Sequence, residues 1–502
     1  MRQDHCARGR KGHLAALLLL GFLCGACKMG PDYVRPETQT ADSWRVPSST
    51  AESIANMPWW ELLKDQELQH LIKIALVENQ DVRTAVASIE QYRAQLVMTR
   101  WDLAPSLSYG GTAFLFQTTG NATTIPGGGG AIVIPGQGST SGTTFSNTIG
   151  FGSLKWELDV WGRLRRAVES SEAQMFAQEE NQRAIVLSLV GNVSEAYFAL
   201  RSLDLQVEIT KRTLKSWEES VRLSQLRYKQ GYIPKLDLDR FEAERAGTAA
   251  KLAELEKQVV QKENQLSALL GRRPAQIARG LTLTEQPMPP EVPPGLPSEL
   301  LQRRPDLQEA EQMLAAATAG VGIAQAQRFP QFALNGTLAG AHANLNGFSP
   351  GPLFIQNIGA QLAGPLLNAT ALGYQVTVNE TKARQAALQY EKAIVNAYKE
   401  VEDALIAVQK TREQRTAQEE QVKALQSAFH LADQRYQGGR ASYLDVLTSQ
   451  RSLFESELAL AKTMQVQLVS VVELYKALGG GWSVQDNPQG NLPDLRSARL
   501  KH

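Results

Sequence analysis

Landmark residues from the second quarter of the chain return in its last third, always at the spacing that separates Arg227 from Arg435. A second set, near the start of each half, returns at the slightly larger spacing that separates Asp81 from Asp306. The chain is therefore one structural unit written twice, and such a repeat constrains the fold more than any single residue. The first set, Arg227-Tyr228, Gly231, Leu236-Asp237 and Leu270-Gly271, returns as Arg435-Tyr436, Gly439, Leu444-Asp445 and Leu478-Gly479; the second set, Asp81, Pro105 and Gly111, returns as Asp306, Pro330 and Gly336.

Each repeat has the same predicted order of elements: a helix, two strands, a very long helix, a turn and a second long helix. We place the first repeat at residues 66–285 and the second at residues 298–479. A proline-rich linker at 286–297 joins them. Residues 27–65 are spaced by prolines and predict an extended arm, and residues 480–502 predict a loose tail.

The composition excludes several classes of function. A formal net charge of +1 over 502 residues gives no basic face of the kind that nucleic-acid binding needs. The six histidines show no H-E-x-x-H or comparable ligand spacing. The carboxylates flank helical seams, where solvated positions are typical. We therefore expect no catalytic residue, no metal site and no cofactor, in a protein that is not an enzyme.

The N-terminus is typical of an export signal, predicted here to span residues 1–26. A charged start precedes a short apolar core from Leu14 to Leu23, and the small residues Gly25-Ala26 precede Cys27. The apolar core is about half of the ~20 residues that a membrane-spanning helix needs. No other apolar run approaches that length, so the sequence does not predict an α-helical membrane protein.

Cys27 is the predicted site of a covalent lipid anchor. All three cysteines, Cys6, Cys24 and Cys27, lie in or at the end of the leader, so cleavage before Cys27 leaves one cysteine at the first mature position. The segment Leu23-Cys24-Gly25-Ala26-Cys27 resembles a bacterial lipobox, whose cysteine takes a diacylglycerol and an N-acyl chain such as palmitoyl. The alternatives are an ordinary signal peptide with an incidental cysteine, and a C-x-x-C redox pair.

Four strands of about ten residues, a length suited to crossing a bilayer, are predicted at roughly 105–116, 144–158, 330–341 and 353–366. A helix from about Gln66 to Asp102 precedes the first strand, and alternating polarity marks the strands themselves. The apolar phase changes near Gly152-Ser153, as at a bulge or at a change of environment. Residues 117–143 contain 16 Gly, Ser or Thr and no charge, which predicts a long flexible loop. They lack the Gly-Lys-Ser/Thr ending of a phosphate-binding loop.

The strongest periodic pattern predicts two very long helices packed as coiled coils. Apolar residues recur every seven positions from Val186 to Tyr228, with interleaved small or apolar positions between them. A helix from about Arg165 to Tyr228 would be on the order of 95 Å long. The pattern returns from Ile394 to Tyr436 with a polar lapse at Arg415. A plain coiled coil without strands is the simpler alternative.

Four strands cannot close a barrel. Open sheet edges are too costly in lipid, and small outer-membrane barrels begin at about eight strands. If the strands cross a membrane, several copies must share one barrel, and three copies would give twelve strands.

On these features the sequence resembles the TolC-like outer membrane factors, in the lipoprotein branch that serves RND-type efflux pumps (NodT/OprM-like). The resemblance covers essentially the whole mature chain. Its clearest pieces are Cys27-Lys-Met-Gly-Pro-Asp-Tyr-Val-Arg-Pro36, Trp59-Trp60, Trp156-Glu-Leu-Asp-Val-Trp-Gly-Arg163, Arg227-Tyr228 with Gly231, and Tyr443-Leu-Asp-Val-Leu447.

The resemblance implies a mixed α+β membrane protein. It is expected to be a homotrimer with a 12-stranded outer-membrane β-barrel and a periplasmic α-helical barrel, surrounded by a collar built from arm, linker and tail. It would sit lipid-anchored in the outer membrane of a Gram-negative bacterium. There it would passively conduct small toxic compounds delivered by a periplasmic adaptor and an inner-membrane RND-type pump.

The resemblance also implies a gate at the turns 229–236 and 437–444. Asp445 matches a position where carboxylates ring the closed pore, and Leu444 matches an apolar constriction. Asp237 is the repeat equivalent of Asp445. The family often carries another acid three positions further on, where this chain has Thr448. The alternative for both aspartates is simple stabilisation of a helix start, worth ~0.3–1 kcal/mol.

Two tyrosines and the turn residues complete the predicted tip. Tyr228 and Tyr436 are expected to hold neighbouring coils together, with plain seam packing as the alternative. Gly231 and Pro234 form the first turn, and Gly438 with Gly439 forms the second. Because proline stiffens the first turn and paired glycines loosen the second, we expect the second turn to move.

Two other functions stay open at this point. One is an outer-membrane channel of a type I protein secretion system, which would share the fold. The other is a coiled-coil structural protein or adhesin without a channel, against which the strand pairs and the charge-free loop argue.

Overall fold

A computed structural model describes residues 28–37, 44–45, 63–118, 122–127, 130–135, 143–288, 300–345, 351–365 and 368–480. The predicted leader, Cys27, most of the arm, most of the linker and residues 481–502 lie outside the described residues.

The elements of the two halves follow each other in the same order, except for one extra hairpin. The first half forms α1 (Gln66–Glu78), α2 (Gln80–Trp101), β1 (Ser106–Thr118), β2 (Ala122–Gly127), β3 (Gly130–Pro135), β4 (Thr143–Leu158), α3 (Arg163–Lys229) and α4 (Lys235–Leu269). The second half forms α5 (Leu300–Arg303), α6 (Pro305–Ala326), β5 (Gln331–Leu345), β6 (Pro352–Ala363), α7 (Ala369–Gln437) and α8 (Tyr443–Ala477).

Matching helices keep the two spacings of the sequence. Helices α2 and α6 each have 22 residues, and their first residues are separated by the same spacing as Asp81 and Asp306. Helices α4 and α8 each have 35 residues, and their first residues are separated by the same spacing as Arg227 and Arg435. The long helices α3 and α7 have 67 and 69 residues. Helix α3 matches the expected helix from about Arg165 to Tyr228, and both helices begin well before the heptad stretches that start at Val186 and Ile394.

The single helix expected from Gln66 to Asp102 is wrong, because the chain breaks at Asn79. Asn79 is extended, with φ −61° and ψ 134°. Its Oδ1 accepts hydrogen bonds from the backbone N–H groups of Asp81 (2.8 Å) and Val82 (3.2 Å). A side chain that caps the next helix satisfies donors that a continuous helix would satisfy itself, so the pattern of apolar residues alone did not reveal the break.

At this break the end of α4 meets the junction between α1 and α2. The Asn79 Nδ2 donates to the Leu269 carbonyl at 2.8 Å, where α4 ends. Gly271 follows with φ 73°, and a Cβ there would overlap the Glu78 carbonyl. Only glycine fits both this backbone conformation and this close approach.

The second half builds the same joint with different chemistry. Arg304, the repeat equivalent of Asn79, donates from Nη1 to the Ala477 carbonyl at 2.9 Å. Gly479 has φ 68°, and a Cβ there would lie 3.0 Å from the Arg303 carbonyl. Pro305 begins the next helix at the position where proline is favoured.

The expectation of one flexible loop over residues 117–143 is also wrong. β1 extends to Thr118, β4 begins at Thr143, and β2 pairs with β3 as an antiparallel hairpin. The hairpin sequence is rich in Thr, Ile and Val, residue types that favour strands. Its many glycines and the absence of charge concealed that preference.

The main sheet has four antiparallel strands in the order β1-β4-β5-β6, so β1 and β6 are its edges. The register between β1 and β4 is unbroken from Ser106–Lys155 to Thr118–Thr143. The phase change at Gly152 therefore occurs without a bulge, which leaves a change of environment as its expected cause.

The chain divides into two compact units. The first, residues 1–35, 92–175 and 313–386, contains the sheet. In it the helix segments lie in the order α2-α3-α6-α7. An Arg100–Glu172 ion pair (3.1 Å) joins the first two, and a hydrogen bond from Ser170 to the Ala316 carbonyl (3.0 Å) joins the next.

The second unit, residues 36–91, 176–312 and 387–502, contains the larger apolar core. Its long helices lie in the order α4-α3-α8-α7, linked by Lys211–Glu256, Ser202–Ala461 and Arg415–Gln467 contacts. Helix α1 packs Leu68 and Ile72 onto α3 in this core. The buried Asp65 carboxylate accepts from the Tyr197 hydroxyl (2.8 Å) and the Gln286 amide (2.6 Å).

Among the described helices, α3 alone is long and apolar enough to cross a membrane by composition. However, 67% of its apolar window is buried within the chain. Val186, Val190, Val193 and Leu200 all belong to the core of the second unit. Core packing therefore accounts for its hydrophobicity.

Candidate gate, sheet faces and N-terminal docking site

The first predicted tip turn ends α3 with a glycine in the left-handed region. Gly231 has φ 79°, and its N–H donates to the Tyr228 carbonyl at 2.9 Å. The N–H of Tyr232 donates to the Arg227 carbonyl at 2.9 Å. This pair of bonds is the Schellman motif, which satisfies the last carbonyls of a helix. Pro234 then caps α4 without a side-chain hydrogen bond.

The second turn repeats this geometry. Gly439 has φ 70°, and its N–H donates to the Tyr436 carbonyl at 3.0 Å. The N–H of Arg440 donates to the Arg435 carbonyl at 2.7 Å. Gly438 continues the helical hydrogen-bond pattern, because its N–H donates to the Gln434 carbonyl. The two turns thus share one hydrogen-bonded form, and greater mobility of the second turn stays a prediction.

Asp445 occupies a capping box at the start of α8. Its Oδ2 accepts from the Ser442 backbone N–H at 3.1 Å, while the Ser442 hydroxyl accepts from the Leu444 N–H at 3.1 Å. This reciprocal arrangement stabilises a helix start. Asp445 is nevertheless exposed, as is the Leu444 side chain at 48%. Both side chains therefore remain accessible to a neighbouring molecule or a pore.

Asp237 has a different local partner. Its Oδ1 lies 3.8 Å from Nη1 of Arg240, one turn further along α4. A loose pair at the surface contributes little to stability. The two aspartates are therefore equivalent by repeat but not by contact: one caps its helix and the other faces an arginine.

The two predicted tip tyrosines also differ. The guanidinium of Arg227 lies 4.8 Å from the centre of the Tyr436 ring, within range of a cation–π interaction. Tyr436 also packs against a buried aromatic cluster. The Tyr228 side chain is 41% exposed, so its predicted role in holding coils together has no counterpart within the described part of one chain.

That cluster, which we call the aromatic lock, was not predicted from the sequence. It consists of Trp217, Val221, Phe241, Tyr443 and Leu447. The Phe241 and Tyr443 rings are 4.4 Å apart, and Trp217 lies 6.2 Å from Phe241. The lock joins α3 and α4 of one hairpin to α8 of the other. Trp217 and Val221 fall on the heptad seam, which was the only available sign of it.

Burial shapes the chemistry of the lock. It raises the pKa of Tyr443 to about 12, with smaller effects from Arg240 and Asp237. The phenol therefore stays neutral across the physiological range. Its hydroxyl is buried without a hydrogen-bond partner among the described residues, so the ring, rather than the hydroxyl, carries its packing role.

In the rows nearest the helices, one face of the sheet is apolar. Leu107 (81% exposed) and Ile358 (89% exposed) lie on it at opposite edges, in one row with Leu154. Alternate residues along a strand point to opposite faces, which places Trp156, Leu158, Phe332, Leu334 and Leu362 on this face as well.

The other face is polar nearest the helices. Ser108 and Ser153 hydroxyls are 2.7 Å apart, and the Asn335 amide donates to Gln361 at 3.0 Å. Beyond Gly152 the same face becomes apolar, with Ile149, Phe151, Leu353 and Ile355. In the rows nearest the helices the sheet therefore has one apolar and one polar face, as a membrane barrel with a watery lumen requires.

The segment after Cys27 docks where β4 leads into α3. The Met29 N–H donates to the Trp161 carbonyl at 3.1 Å. The buried Arg166 guanidinium donates to the carbonyls of Met29 and Gly30, both at 2.9 Å, and Lys28 pairs with Glu169 at 2.7 Å. Cys27 itself lies outside the described residues. Its neighbour Lys28 is fixed beside Gly162, in the short segment between β4 and α3.

No group of three or more His, Cys, Asp or Glu side chains is placed to hold a metal ion within the described ranges.

We predict that loss of the aromatic lock loosens the tip. Trp217→Ala removes a fully buried indole, at a cost of about 3–5 kcal/mol locally, so trypsin should cut after Lys229, Lys235 or Arg440 faster than in the parent. Tyr443→Phe is the matched control, because it keeps the ring and removes an unpartnered hydroxyl. Equal cleavage rates for Trp217→Ala and the parent would contradict a structural role for the lock.

Comparison with known proteins identifies the family. The sequence matches the family described as outer membrane efflux protein over residues 71–272 and 296–480. It is 35% identical over 486 residues to the toluene efflux pump outer membrane protein TtgC of Pseudomonas putida, across 94% of this chain and 96% of that protein. It is 30% identical over 461 residues to the cation efflux system protein CusC of Escherichia coli, across 91% and 96% of the two.

Solved structures show the same fold. The structure of the open state of the Neisseria gonorrhoeae MtrE outer membrane channel matches with a TM-score of 0.77 at 27% identity, across 91% of this chain and 98% of that one. The outer-membrane channel OprN matches with a TM-score of 0.79 at 28% identity, across 91% and 100%. These matches confirm the resemblance and the outer-membrane location. The chain belongs to the outer membrane efflux protein family and is an efflux channel.

Proposed function

We propose that three copies of this chain close one 12-stranded barrel in the outer membrane and one helical barrel in the periplasm. The unpaired edges of the four-stranded sheet carry the proposal. β1 and β6 each leave one side without a strand partner among the described strands of the chain. Exposed backbone N–H and C=O groups are too costly in lipid, so the β6 edge of one copy must pair with the β1 edge of the next.

The helices of the sheet-bearing unit point to the same arrangement. Its outermost helices expose apolar side chains: Met98 (63%) and Trp101 (71%) on α2, and Tyr374 (71%) on α7. At each edge of this unit, the outermost helix exposes apolar side chains and the outermost strand has an unpaired backbone edge. A second copy of the chain satisfies the two needs at once.

In this assembly the protein is a passive duct rather than an enzyme. A periplasmic adaptor and an inner-membrane RND-type pump would deliver the cargo at the turns Gln230–Pro234 and Gln437–Arg440. The names of relatives point to small toxic compounds, since TtgC is a toluene efflux protein and CusC a cation efflux protein. These relatives favour efflux over protein secretion.

A disulfide between copies tests whether β6 of one copy pairs with β1 of the next. Tyr109→Cys in β1 is combined in turn with a single cysteine at each even-numbered position of β6 from 352 to 362, all on the face of Tyr109. A set of positions is needed because barrel closure staggers neighbouring strands. Within one chain every such pair is separated by at least three strand spacings, or about 14 Å, so a disulfide can form only between copies. On oxidation one of the double variants should run as a covalent trimer, whereas the single variants should not; no covalent trimer from any pair would contradict pairing of β6 with β1.

The same preparation tests conduction. Unmodified protein in mild detergent should migrate as a heat-sensitive trimer and conduct ions in a planar bilayer. A water-soluble, monomeric and non-conducting product would instead support the structural or adhesin alternative.

We also propose that Cys27 carries the lipid anchor and that no other cofactor is bound. The docked segment after it lies at the end of the sheet, where the Trp161 ring stacks on Phe329 at 4.8 Å. Aromatic side chains are typical of the level where a barrel meets the membrane surface. An acyl chain on Cys27 would enter the bilayer from this level.

Labelling with palmitate should mark the wild-type protein and not the Cys27→Ser variant. Because the lipid is an extra tether on a barrel, the variant should still trimerise. Label on the Cys27→Ser protein would remove Cys27 from this role.

The gate is proposed to be formed by Asp237, Leu444 and Asp445 around the axis of the trimer, with Tyr436 and the aromatic lock holding the hairpins together. Three copies of an exposed aspartate at one level would make a carboxylate ring that favours cations.

Two substitutions at Asp445 separate this role from helix capping. Asp445→Asn removes the charge but keeps an acceptor for the Ser442 N–H, while Asp445→Ala removes both. If the charge sets selectivity, both variants should lower the preference for cations in single-channel recordings. Glu420→Ala, an exposed acid on α7 far from the turn, is the control. A change confined to Asp445→Ala would assign Asp445 to capping alone, and no change in either would remove it from the gate.

A further inference from the structure

The membrane segments of this chain carry almost no charge. Between Leu103 and Leu158, and between Phe329 and Asn379, the sequence contains only two residues of the Asp, Glu, Lys and Arg classes, Lys155 and Glu157. Both lie near the end of β4. Any fixed charge within the membrane-embedded part of the duct therefore comes from these two positions.

The negative charge of Glu157 is balanced by an ion pair with Arg163. Arg163 donates to both of its oxygens, from Nε at 3.0 Å and from Nη2 at 2.8 Å. A two-point arginine–carboxylate pair of this kind is strong and geometrically fixed. Lys155 has no carboxylate partner within the described part of the chain, and its side chain is exposed. One uncompensated positive charge per chain remains.

The register places Lys155 in the polar part of its face, in the rows nearest the helices and before the same face becomes apolar beyond Gly152. It lies between Ser106 on β1 and Asn335 on β5, and the next row on that face holds the Ser108–Ser153 pair. The apolar face with Leu154 and Trp156 points the other way. In a membrane barrel the polar face lines the lumen.

We propose that Lys155 sets the ion preference of the membrane-embedded part of the duct and draws anions into it. This inference rests on the proposed trimer, in which three copies of Lys155 form a ring at one level of the barrel. Rings of lysine or arginine favour anions, and their field reaches about 8 Å at physiological ionic strength. The duct would then carry a positive ring in the membrane and a negative ring at the periplasmic tip.

Reversal potentials of the full-length trimer in planar bilayers, under a KCl gradient, test this. Lys155→Gln should raise the ratio of cation to anion permeability by about twofold at about 0.1 M salt, and Lys155→Glu by more, with the difference fading at about 1 M as the screening length shortens. Lys155→Arg keeps the charge and should match the wild type. Lys73→Gln, an exposed lysine on α1, should also leave the ratio unchanged.

Thiol chemistry tests the orientation separately. In Lys155→Cys the introduced thiol is the only free one if Cys27 is acylated, and a charged, water-borne methanethiosulfonate should react with it and change the conductance. Absence of reaction would place the side chain toward lipid and overturn the proposal, as would unchanged selectivity in both Lys155→Gln and Lys155→Glu. A wild-type protein that neither trimerises nor conducts would instead overturn the proposed assembly.

Discussion

The backbone groups along the outer edges of β1 and β6 impose the central constraint on this molecule. A four-stranded sheet with an exposed apolar face belongs in lipid, yet its edges cannot stay unpaired there. The sheet cannot satisfy both conditions within one chain, so its chemistry calls for further copies. The proposed oligomer is in this sense a requirement of hydrogen bonding before it is a feature of transport. The apolar side chains on α2 and α7 extend the same requirement to the helices.

Duplication supplies the pseudo-symmetry, and the differences between the halves supply the specialisation. Helices α3 and α7 both end in a Schellman motif, so the two helix ends have the same backbone hydrogen bonds. The halves differ in their side-chain contacts. Asp445 forms a capping box, Asp237 faces an arginine, and the aromatic lock takes its residues from both hairpins. The same contrast recurs at the helix joints, where an amide at Asn79 does in one half what a guanidinium at Arg304 does in the other.

The sequence was most informative where the pattern is long and local. Heptads running from Val186 to Tyr228 and glycines past the helix ends predict the long helices well, because each turn contributes the same kind of evidence. The break at Asn79 was missed because one capping side chain replaces the bonds of a whole turn. The β2–β3 hairpin was missed because glycine content outweighed the β-branched residues beside it. The candidate sites divide in the same way. Glycine and proline positions at the turns followed from the repeat alone, whereas Trp217, Phe241 and Tyr443 of the aromatic lock come together only after three helices have packed.

The helix joints at Gly271 and Gly479 have a mechanical consequence. Helix α4 ends against Glu78 and Asn79, and α8 ends against Arg303 and Arg304. At both places the helix that ends is held to the next helix by hydrogen bonds and side-chain contacts, without a peptide bond between them. A twist of α4 or α8 is therefore opposed at its joint only by these non-covalent contacts. Helices α3 and α7 contain no such interruption, so their backbone hydrogen bonds resist twisting along their whole length.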